Sequence, residues 1–216
     1  MSKTETASSK AQNEAPENLA AAVEALKRGH VIVFPTETLY GLGADALNEA
    51  AVEIVFQLKG RDPSNPIPVL VANQEMLHTL VAKVPAVARK LMDRHWPGPL
   101  TLVLPGQKNI PKWLCNPEGK VGVRISSQPI ATLLVNGLGR PLTATSANPS
   151  GKEPARTLQE TKTYFAGRVE LFVDGGTLTS KSGSTVVEVM EDSIKIIREG
   201  DISAGELQRF LGKEHV

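Results

Sequence analysis

Two cations at the end of a predicted helix are the first residues of this sequence whose types and spacing suggest chemistry. Lys59 and Arg61 flank Gly60, where the apolar-periodic segment NEAAVEIVFQLKG meets the proline-rich loop RDPSNPIP. In an irregular segment, residues two apart can converge on phosphate oxygens, Arg61 through its bidentate fork and Lys59 as a compact charge. The alternative is that both cations complement the helix dipole and remain solvated.

A polar loop downstream carries a second set of candidate binding groups. The segment TATSANPSG (143–151) follows an apolar strand, at the kind of position where doubly wound sheets bind ligands. Ser146 and Asn148 would present donors and acceptors from one side of this loop. The alternative is a capped turn, since Ser and Asn are common turn formers.

Glycines and hydroxyls are concentrated again in DGGTLTSKSGSTVVEV (174–189). This composition suits a loop whose backbone N–H groups cradle an anion, although the GxxxxGK[ST] order of a Walker A loop is missing and a flexible Gly/Ser loop is the alternative. Two arginines lie within predicted strands, Arg124 in VGVRI and Arg198 in IKIIREG. Each either extends from a sheet edge into solvent or pairs with an anion such as a carboxylate.

The elements that must position these residues alternate between helices and short apolar strands. Helices are predicted at 16–29, 48–60, 74–82, 85–95 and 129–137, and strands at 31–36, 69–72, 100–105, 121–125, 141–148, 167–176 and 184–200, the last a hairpin turning at MEDS. This order predicts one α/β domain with a twisted mixed parallel/antiparallel sheet flanked by helices.

The domain is expected to cover residues 16–208. Residues 1–15 contain no large apolar side chain after Met1 and are expected to be a disordered tail, because they cannot offset the entropy of ordering. Residues 209–216 are expected to be a C-terminal tail.

The composition excludes several classes of protein. Of 216 residues 41% are hydrophobic, and 24 Lys and Arg stand against 23 Asp and Glu, so neither disorder nor a dedicated polyanion binder is indicated. No apolar run approaches the roughly 20 residues of a membrane span, and we expect a cytoplasmic protein without membrane contact. The single cysteine, Cys115, excludes an intrachain disulfide and, without a nearby histidine, is predicted to be an inert thiol.

The joint order of the segments resembles the YrdC family. FPTETLYGLG, LKGRDPSNPIPVLV, HWPGPLTLVLP, VGVRI, LTATSANPSG and DGG…SGSTVVEV…IIREG follow one another with the family's spacing from about residue 18 to 206. The hallmark Lys-x-Arg and Ser-x-Asn pairs fall on Lys59, Arg61, Ser146 and Asn148. Since the chain stops at Val216, it resembles the family's short form, the TsaC-like threonylcarbamoyl-AMP synthases.

The resemblance implies an enzyme with a concave cleft in a YrdC-like fold. Such a synthase condenses L-threonine, bicarbonate and ATP to threonylcarbamoyl-AMP and pyrophosphate, assisted by Mg²⁺. A downstream tRNA threonylcarbamoyltransferase complex would use the product for the threonylcarbamoyladenosine modification of tRNA.

The resemblance also assigns residues. Lys59, Arg61, Ser146 and Asn148 would be catalytic; the ATP contacts would be these four with Asn65 and Arg198; the threonine contacts would be Thr36, Arg124 and Ser184; no residue is assigned to a metal. Leu70 stands where many relatives have a histidine, which implies a less polar edge of the threonine pocket.

The chemistry fits fixed positive charge in a closed cavity. Carboxylation of an amine followed by adenylation of the carbamate passes through unstable intermediates, so water must be excluded. Lys59, Arg61 and Arg198 would hold the polyphosphate and Arg124 the threonine carboxylate, with positioning and electrostatics in place of a protein nucleophile.

Two other functions are compatible with these motifs. The first is an RNA-binding module, or a weak RNA contact beside catalysis, on a basic concave face. The second is a carbamoyl-transfer domain like that of HypF proteins, although those chains also carry acylphosphatase and zinc-finger segments and this chain has no CxxC.

Overall fold

The structure is a computed structural model that describes residues 18–62, 65–180, 182–212 and 215–216. The tail predicted for residues 1–15 lies outside the described residues. The helices are α1 (residues 18–27), α2 (Glu49–Lys59), α3 (Gln74–Leu80), α4 (Ala86–His95), α5 (Pro129–Leu138), α6 (Leu158–Phe165) and α7 (Ala204–Leu211). The strands are β1 (Ile32–Pro35), β2 (Tyr40–Gly43), β3 (Val69–Leu70), β4 (Leu100–Pro105), β5 (Lys120–Arg124), β6 (Leu142–Thr143), β7 (Thr145–Ser146), β8 (Leu171–Phe172), β9 (Thr185–Val189) and β10 (Ile194–Arg198).

The predicted α/β class and the mixture of parallel and antiparallel pairs are confirmed. The strands form two sheets instead of the single sheet expected: one of four strands in the order β7-β2-β1-β8, and one of six in the order β10-β9-β4-β5-β3-β6. The pairs β1/β8, β3/β5 and β4/β9 are parallel and the others antiparallel.

The chain passes directly from one sheet to the other at Ala144. The segment predicted as one strand pairs with β3 as β6, and then with β2 as β7. Ala144 donates its N–H to the Pro68 carbonyl (2.9 Å), and Thr143 donates to the Ala44 carbonyl (2.9 Å). This short crossing fixes the two sheets beside each other.

Helix α2 begins and ends as its sequence predicts. The Asn48 side chain accepts the N–H of Ala51, and Gly60 closes the helix in the left-handed conformation with φ 58°. The apolar side chains Val52, Val55, Phe56 and Leu58 are buried. Because Gly60 turns the chain sharply, Lys59 remains on the helix while Arg61 starts the loop.

Three apolar clusters enclose the sheets. Helices α3, α4 and α7 cover the six-stranded sheet, α2 and α6 pack on β1 and β2, and α1 packs with α5 on β1. No helix among the described residues is both long and apolar enough to cross a bilayer.

Two helices differ from the predicted elements. Helix α6 was not predicted, although Thr157 and Glu160 form a capping box at its start. Helix α7 continues past residue 208 into the segment 209–216 that was expected to be a C-terminal tail, because Leu207 is buried in the core and Leu211 packs against it. The outer boundaries of the domain stay a prediction.

Candidate active site

The two sheets enclose a cavity of about 150 Å³, and its wall draws residues from five of the six motif segments of the sequence. The four-stranded sheet and its turns contribute hydroxyl and aromatic groups, and the six-stranded sheet contributes arginines. The wall includes Thr36, Thr38, Leu39, Tyr40, Arg61, Pro68, Arg124, Ala144, Ser146, Ser182, Gly183, Ser184 and Arg198. Six of the nine predicted site residues therefore line one cavity.

Lys59 and Asn148 lie immediately behind this wall, in contact with Ser146. The Lys59 ammonium donates to the Ser146 carbonyl (2.7 Å), to Ser146 Oγ (3.2 Å) and to Asn148 Oδ1 (3.1 Å). These bonds use the three N–H donors of the ammonium. The predicted approach of the Lys-x-Arg and Ser-x-Asn segments is thus present, and a phosphate oxygen would have to replace one of these acceptors to reach Lys59.

Asn148 also shapes the polar loop. Its amide donates to the carbonyls of Pro149 (3.0 Å) and Lys152 (2.6 Å), and the Ser150 N–H donates to the Lys59 carbonyl (2.7 Å). The turn that the sequence offered as the alternative to a ligand-binding loop is thus present, and Asn148 within it also contacts the Lys59 ammonium.

Arg61 is held by main-chain carbonyls of its own loop. Its Nε donates to the Asn65 carbonyl (2.8 Å) and its Nη2 to the Pro66 carbonyl (3.2 Å). Asn65 was predicted to contact ATP, but it is exposed and not part of the cavity wall. Its main-chain carbonyl orients Arg61, and its ATP contact stays a prediction.

Arg124 ends β5, an interior strand, and is only 5% exposed. The alternative of a solvated edge arginine is therefore wrong for this residue. The Glu37 carboxylate lies 3.7 Å from its Nη2. Glu37 Oε2 also accepts the hydroxyl of Ser126, whereas Oε1 is buried without a hydrogen-bond partner among the described residues. Such an unsatisfied atom costs on the order of 1–3 kcal/mol.

Arg198 lies on the edge strand β10 directly after an irregularity in its pairing. Ile196 faces Val187 and Arg198 faces Val186, so that Ile197 is an extra residue, as in a β-bulge. Arg198 Nη2 donates to the Ser184 carbonyl (2.7 Å) and contacts Ser184 Oγ (3.3 Å). Bulges of this kind redirect side chains, and here the guanidinium lines the cavity although the residue as a whole is exposed.

The hydroxyl groups of Thr36 and Ser184, which the resemblance assigned to contact the substrate L-threonine, have hydrogen-bond partners within the protein. Thr36 Oγ1 donates to the Leu39 carbonyl (2.7 Å) and accepts the N–H groups of Thr38 and Leu39, which closes the turn after β1. Ser184 Oγ lies 3.0 Å from Thr101 Oγ1. Thr38 also lines the cavity, with its Oγ1 2.9 Å from Thr36 Oγ1, and it was not predicted from the sequence.

Tyr40 is a second missed wall residue. Its hydroxyl donates to the Gly176 carbonyl (2.8 Å) and accepts the Gly175 N–H (2.9 Å), which ties β2 to the start of the glycine-rich segment. Burial raises the pKa of this phenol to about 12, so it remains a neutral donor.

The cavity has an excess of positive charge. Burial, together with the charges of Arg61 and Arg198, lowers the pKa of Lys59 to about 8. Burial also lowers the pKa of the three arginines, Arg61, Arg124 and Arg198, which nevertheless stay charged near neutral pH. Glu37 and Asp201 counter the charge of Arg124, and the site is electrostatically suited to a polyanion.

The cavity residues that the structure describes do not form a carboxylate cage for magnesium. Among the residues that the structure describes, no three His, Cys, Asp or Glu side chains are grouped to hold a metal. Mg²⁺ commonly keeps several waters and binds substrate phosphates, and does not depend on a cage made only of protein ligands.

Two further residues singled out in the sequence do not line the cavity. Leu70 is buried in the cluster of α1 and α5 and is paired along its strand with Arg124. The expected effect on the polarity of the pocket stays a prediction. Cys115 lies near another depression, and burial raises the pKa of its thiol, which disfavours the reactive thiolate.

The chain is similar to proteins that share this combination of segments. The Sua5/YciO/YrdC family model, with the description "Telomere recombination", matches residues 24–200. The threonylcarbamoyl-AMP synthase of Pyrococcus abyssi is 37% identical over 188 residues, which cover 87% of this chain and 55% of that protein. The threonylcarbamoyl-AMP synthase of Marinobacter nauticus is 33% identical over 173 residues, which cover 80% of this chain and 91% of that protein.

A solved structure has a similar fold. The crystal structure of P. abyssi Sua5 complexed with L-threonine superposes with a TM-score of 0.86 at 36% identity, and the match covers 90% of this chain and 57% of that one. The chain thus spans little more than half the length of the P. abyssi protein.

Proposed function

Because the chain belongs to the Sua5/YciO/YrdC family, we propose that it is a threonylcarbamoyl-AMP synthase that uses L-threonine, bicarbonate and ATP. The observation that carries the proposal is the contact between Lys59 and Ser146, which unites the end of α2 with the polar loop beside a cavity lined by Arg61, Arg124 and Arg198. Relatives with this activity in their names support the assignment.

Arg124 is proposed to bind the threonine carboxylate. It is the most deeply buried cation of the wall, at 5% exposure, and a guanidinium can bind a carboxylate through two parallel hydrogen bonds. A volume of about 150 Å³ is small beside the roughly 300–1,000 Å³ of pockets that hold drug-sized ligands. The enclosed part of the site therefore suits a group of the size of threonine, and the nucleotide would extend toward the open side.

Arg61, Arg198 and Lys59 are proposed to bind the triphosphate together with Ser146 and Asn148. Fixed cations are most effective where negative charge develops, and main-chain carbonyls already orient Arg61 and Arg198. Magnesium bound to the phosphates would offset further negative charge. Thr36 and Ser184 are proposed to contact the threonine and Asn65 the nucleotide, and their hydrogen bonds also shape the turn, the wall and the Arg61 loop.

The proposed reaction has two steps. The threonine amine attacks the carbon of bicarbonate and forms a carbamate with loss of water. A carbamate oxygen then attacks the α-phosphorus of ATP, a P–O bond to the β-phosphate breaks, and pyrophosphate leaves. The residues of the site align the reactants and stabilise the charge that moves onto pyrophosphate.

The product is a reactive mixed anhydride, which requires a rapid acceptor. We propose that a tRNA threonylcarbamoyltransferase complex in the cytoplasm uses it for the threonylcarbamoyladenosine modification, and that any contact of this chain with RNA is weak.

In the decisive experiment, the purified protein is incubated with ATP, Mg²⁺, bicarbonate and L-threonine. The product threonylcarbamoyl-AMP is then identified by mass spectrometry. Reactions without threonine or bicarbonate should yield no adduct. Absence of the adduct, combined with tRNA binding that weakens steeply with salt, would instead support the RNA-binding module.

A further inference from the structure

We propose that Glu37 is a positioning residue for amino-acid binding, which keeps Arg124 directed into the cavity without neutralising it. This inference rests on the proposed function, because Arg124 is assigned there to the threonine carboxylate. Glu37 does not line the cavity, so it acts through Arg124 and not on the substrate.

The backbone around Glu37 is fixed by the turn that follows β1. Thr36 Oγ1 accepts the N–H groups of Thr38 and Leu39, both at 3.2 Å, and donates to the Leu39 carbonyl. The Glu37 side chain is only 16% exposed. It reaches from the turn of the four-stranded sheet to the end of β5 in the six-stranded sheet, and thus bridges the two sides of the cavity.

Ser126 fixes the direction of the carboxylate. Its hydroxyl donates to Glu37 Oε2 and accepts the Gln128 N–H (3.2 Å), while Thr132 Oγ1 donates to the Ser126 carbonyl (3.3 Å). Ser126 is thereby tied to the start of α5. Glu37 is consequently held by two separate elements of the fold.

The distance to Arg124 leaves the guanidinium available. Oε2 lies 3.7 Å from Arg124 Nη2, a distance typical of an ion pair but too long for a hydrogen bond. Glu37 therefore compensates the buried charge without occupying the N–H groups of Arg124. A substrate carboxylate can still form the two parallel hydrogen bonds that a guanidinium favours.

The unsatisfied oxygen of Glu37 supports this interpretation. Oε1 is buried and has no hydrogen-bond partner among the described residues. A rotation that brought both oxygens to Arg124 would satisfy it, but the resulting fork would compete with the substrate. The Ser126 hydrogen bond opposes that rotation, so the arrangement favours ligand binding over internal hydrogen bonding.

The test compares the steady-state kinetics of Glu37→Gln with those of the wild type, with threonine-dependent pyrophosphate release as the readout. We expect the threonine KM to rise about tenfold, the effect of a displaced ion-pair partner, with kcat and the ATP KM changed less than about twofold. Glu188→Gln is the matched control, because Glu188 pairs with Lys120 away from the cavity, and it should leave the threonine KM unchanged.

A double-mutant cycle with Arg124→Lys separates positioning from a general structural effect. If Glu37 acts through Arg124, Glu37→Gln should raise the threonine KM of the Arg124→Lys variant by less than about twofold. An unchanged threonine KM in Glu37→Gln, or an equal effect in both backgrounds, would overturn the proposal.

Ser126→Ala provides a second variant in case Glu37→Gln does not fold. It frees the carboxylate to approach Arg124, and it should raise the threonine KM while the ATP KM stays constant; an unchanged threonine KM would contradict the inference. A wild type without threonine-dependent turnover would contradict the proposed function itself, and this inference with it.

Discussion

The ammonium of Lys59 lies 2.7 Å from the carbonyl oxygen of Ser146, a residue 87 positions further along the chain. This contact joins the last residue of α2 to the last residue of β7. It places a buried cation directly behind the wall of a cavity that three arginines line.

The first prediction concerns Lys59, which makes this contact, and the nearby cation Arg61. Lys59→Ala and Arg61→Ala should each reduce threonine-dependent pyrophosphate release by at least about a hundredfold, because each removes a cation fixed near the developing charge. The measurement is kcat/KM for ATP, with circular dichroism to verify folding. Lys83→Ala is the control, since Lys83 pairs with Glu191 on the exposed surface. Folded Lys59 and Arg61 variants with near-normal turnover would refute the site assignment.

The second prediction separates the amino-acid end from the nucleotide end. Arg124→Ala should raise the threonine KM by about 10- to 100-fold, the effect of losing a charged hydrogen-bonded partner, while the ATP KM changes less than about threefold. Titration of both substrates measures the two constants. If the threonine KM of Arg124→Ala equals that of the wild type, Arg124 has a structural role and does not bind the substrate.

The third prediction follows from the lowered pKa of Lys59. The native pKa is about 8 and the ordinary value is 10.5, so between these pH values the unfolded chain binds more protons at this site than the native protein. The free energy of unfolding of the wild type should therefore rise with pH across this interval, relative to Lys59→Arg, by an amount on the order of 3 kcal/mol.

Denaturant titrations of both proteins at pH 7 and pH 10 measure this difference. The Arg variant keeps its charge throughout, and all other titrating groups are shared. Parallel pH profiles for the two proteins would show that Lys59 does not titrate in this interval.

The fourth prediction concerns the approach of two backbone segments beside Arg198. A Cβ atom on Gly200 would lie 2.4 Å from the Gly183 carbonyl oxygen and 2.5 Å from the Ser184 carbonyl carbon. Gly200→Ala should displace Ser184, destabilise the protein by about 1–3 kcal/mol and lower turnover. Thermal unfolding and the pyrophosphate assay measure both effects.

Gly205→Ala is the matched control for this variant. Gly205 lies in α7, where a Cβ atom would meet no neighbour closer than 3.5 Å. This substitution should preserve stability or raise it by up to about 1 kcal/mol. Equal melting temperatures for the two variants would contradict the steric argument.

Local signals in the sequence predicted the fold class and many elements. The strand Leu100–Pro105 has the predicted bounds, because an apolar run lies between two prolines. The separation into two sheets was not predictable in this way, since the alternation within PLTATSAN does not specify which neighbour each half pairs with. Helix α6 could have been found from the spacing of Thr157 and Glu160.

The candidate site depended on the combination of distant motifs. Spacing and residue type indicated Lys59, Arg61, Ser146 and Asn148 only as weak separate signals, and the family resemblance joined them. Glu37 and Tyr40 belong to a segment already noted in the sequence, yet their partners, Arg124 and Gly176, lie in distant parts of the chain. No local pattern records that a carboxylate after β1 will meet an arginine at the end of β5.

The crossing at Ala144 limits how this protein can move. Because β6 and β7 are consecutive pieces of one backbone, paired with opposite walls, the two walls are held together at this edge of the cavity. We therefore expect reactants to enter and leave over the rim, with the bound nucleotide itself serving as the cover that shields the carbamate from solvent.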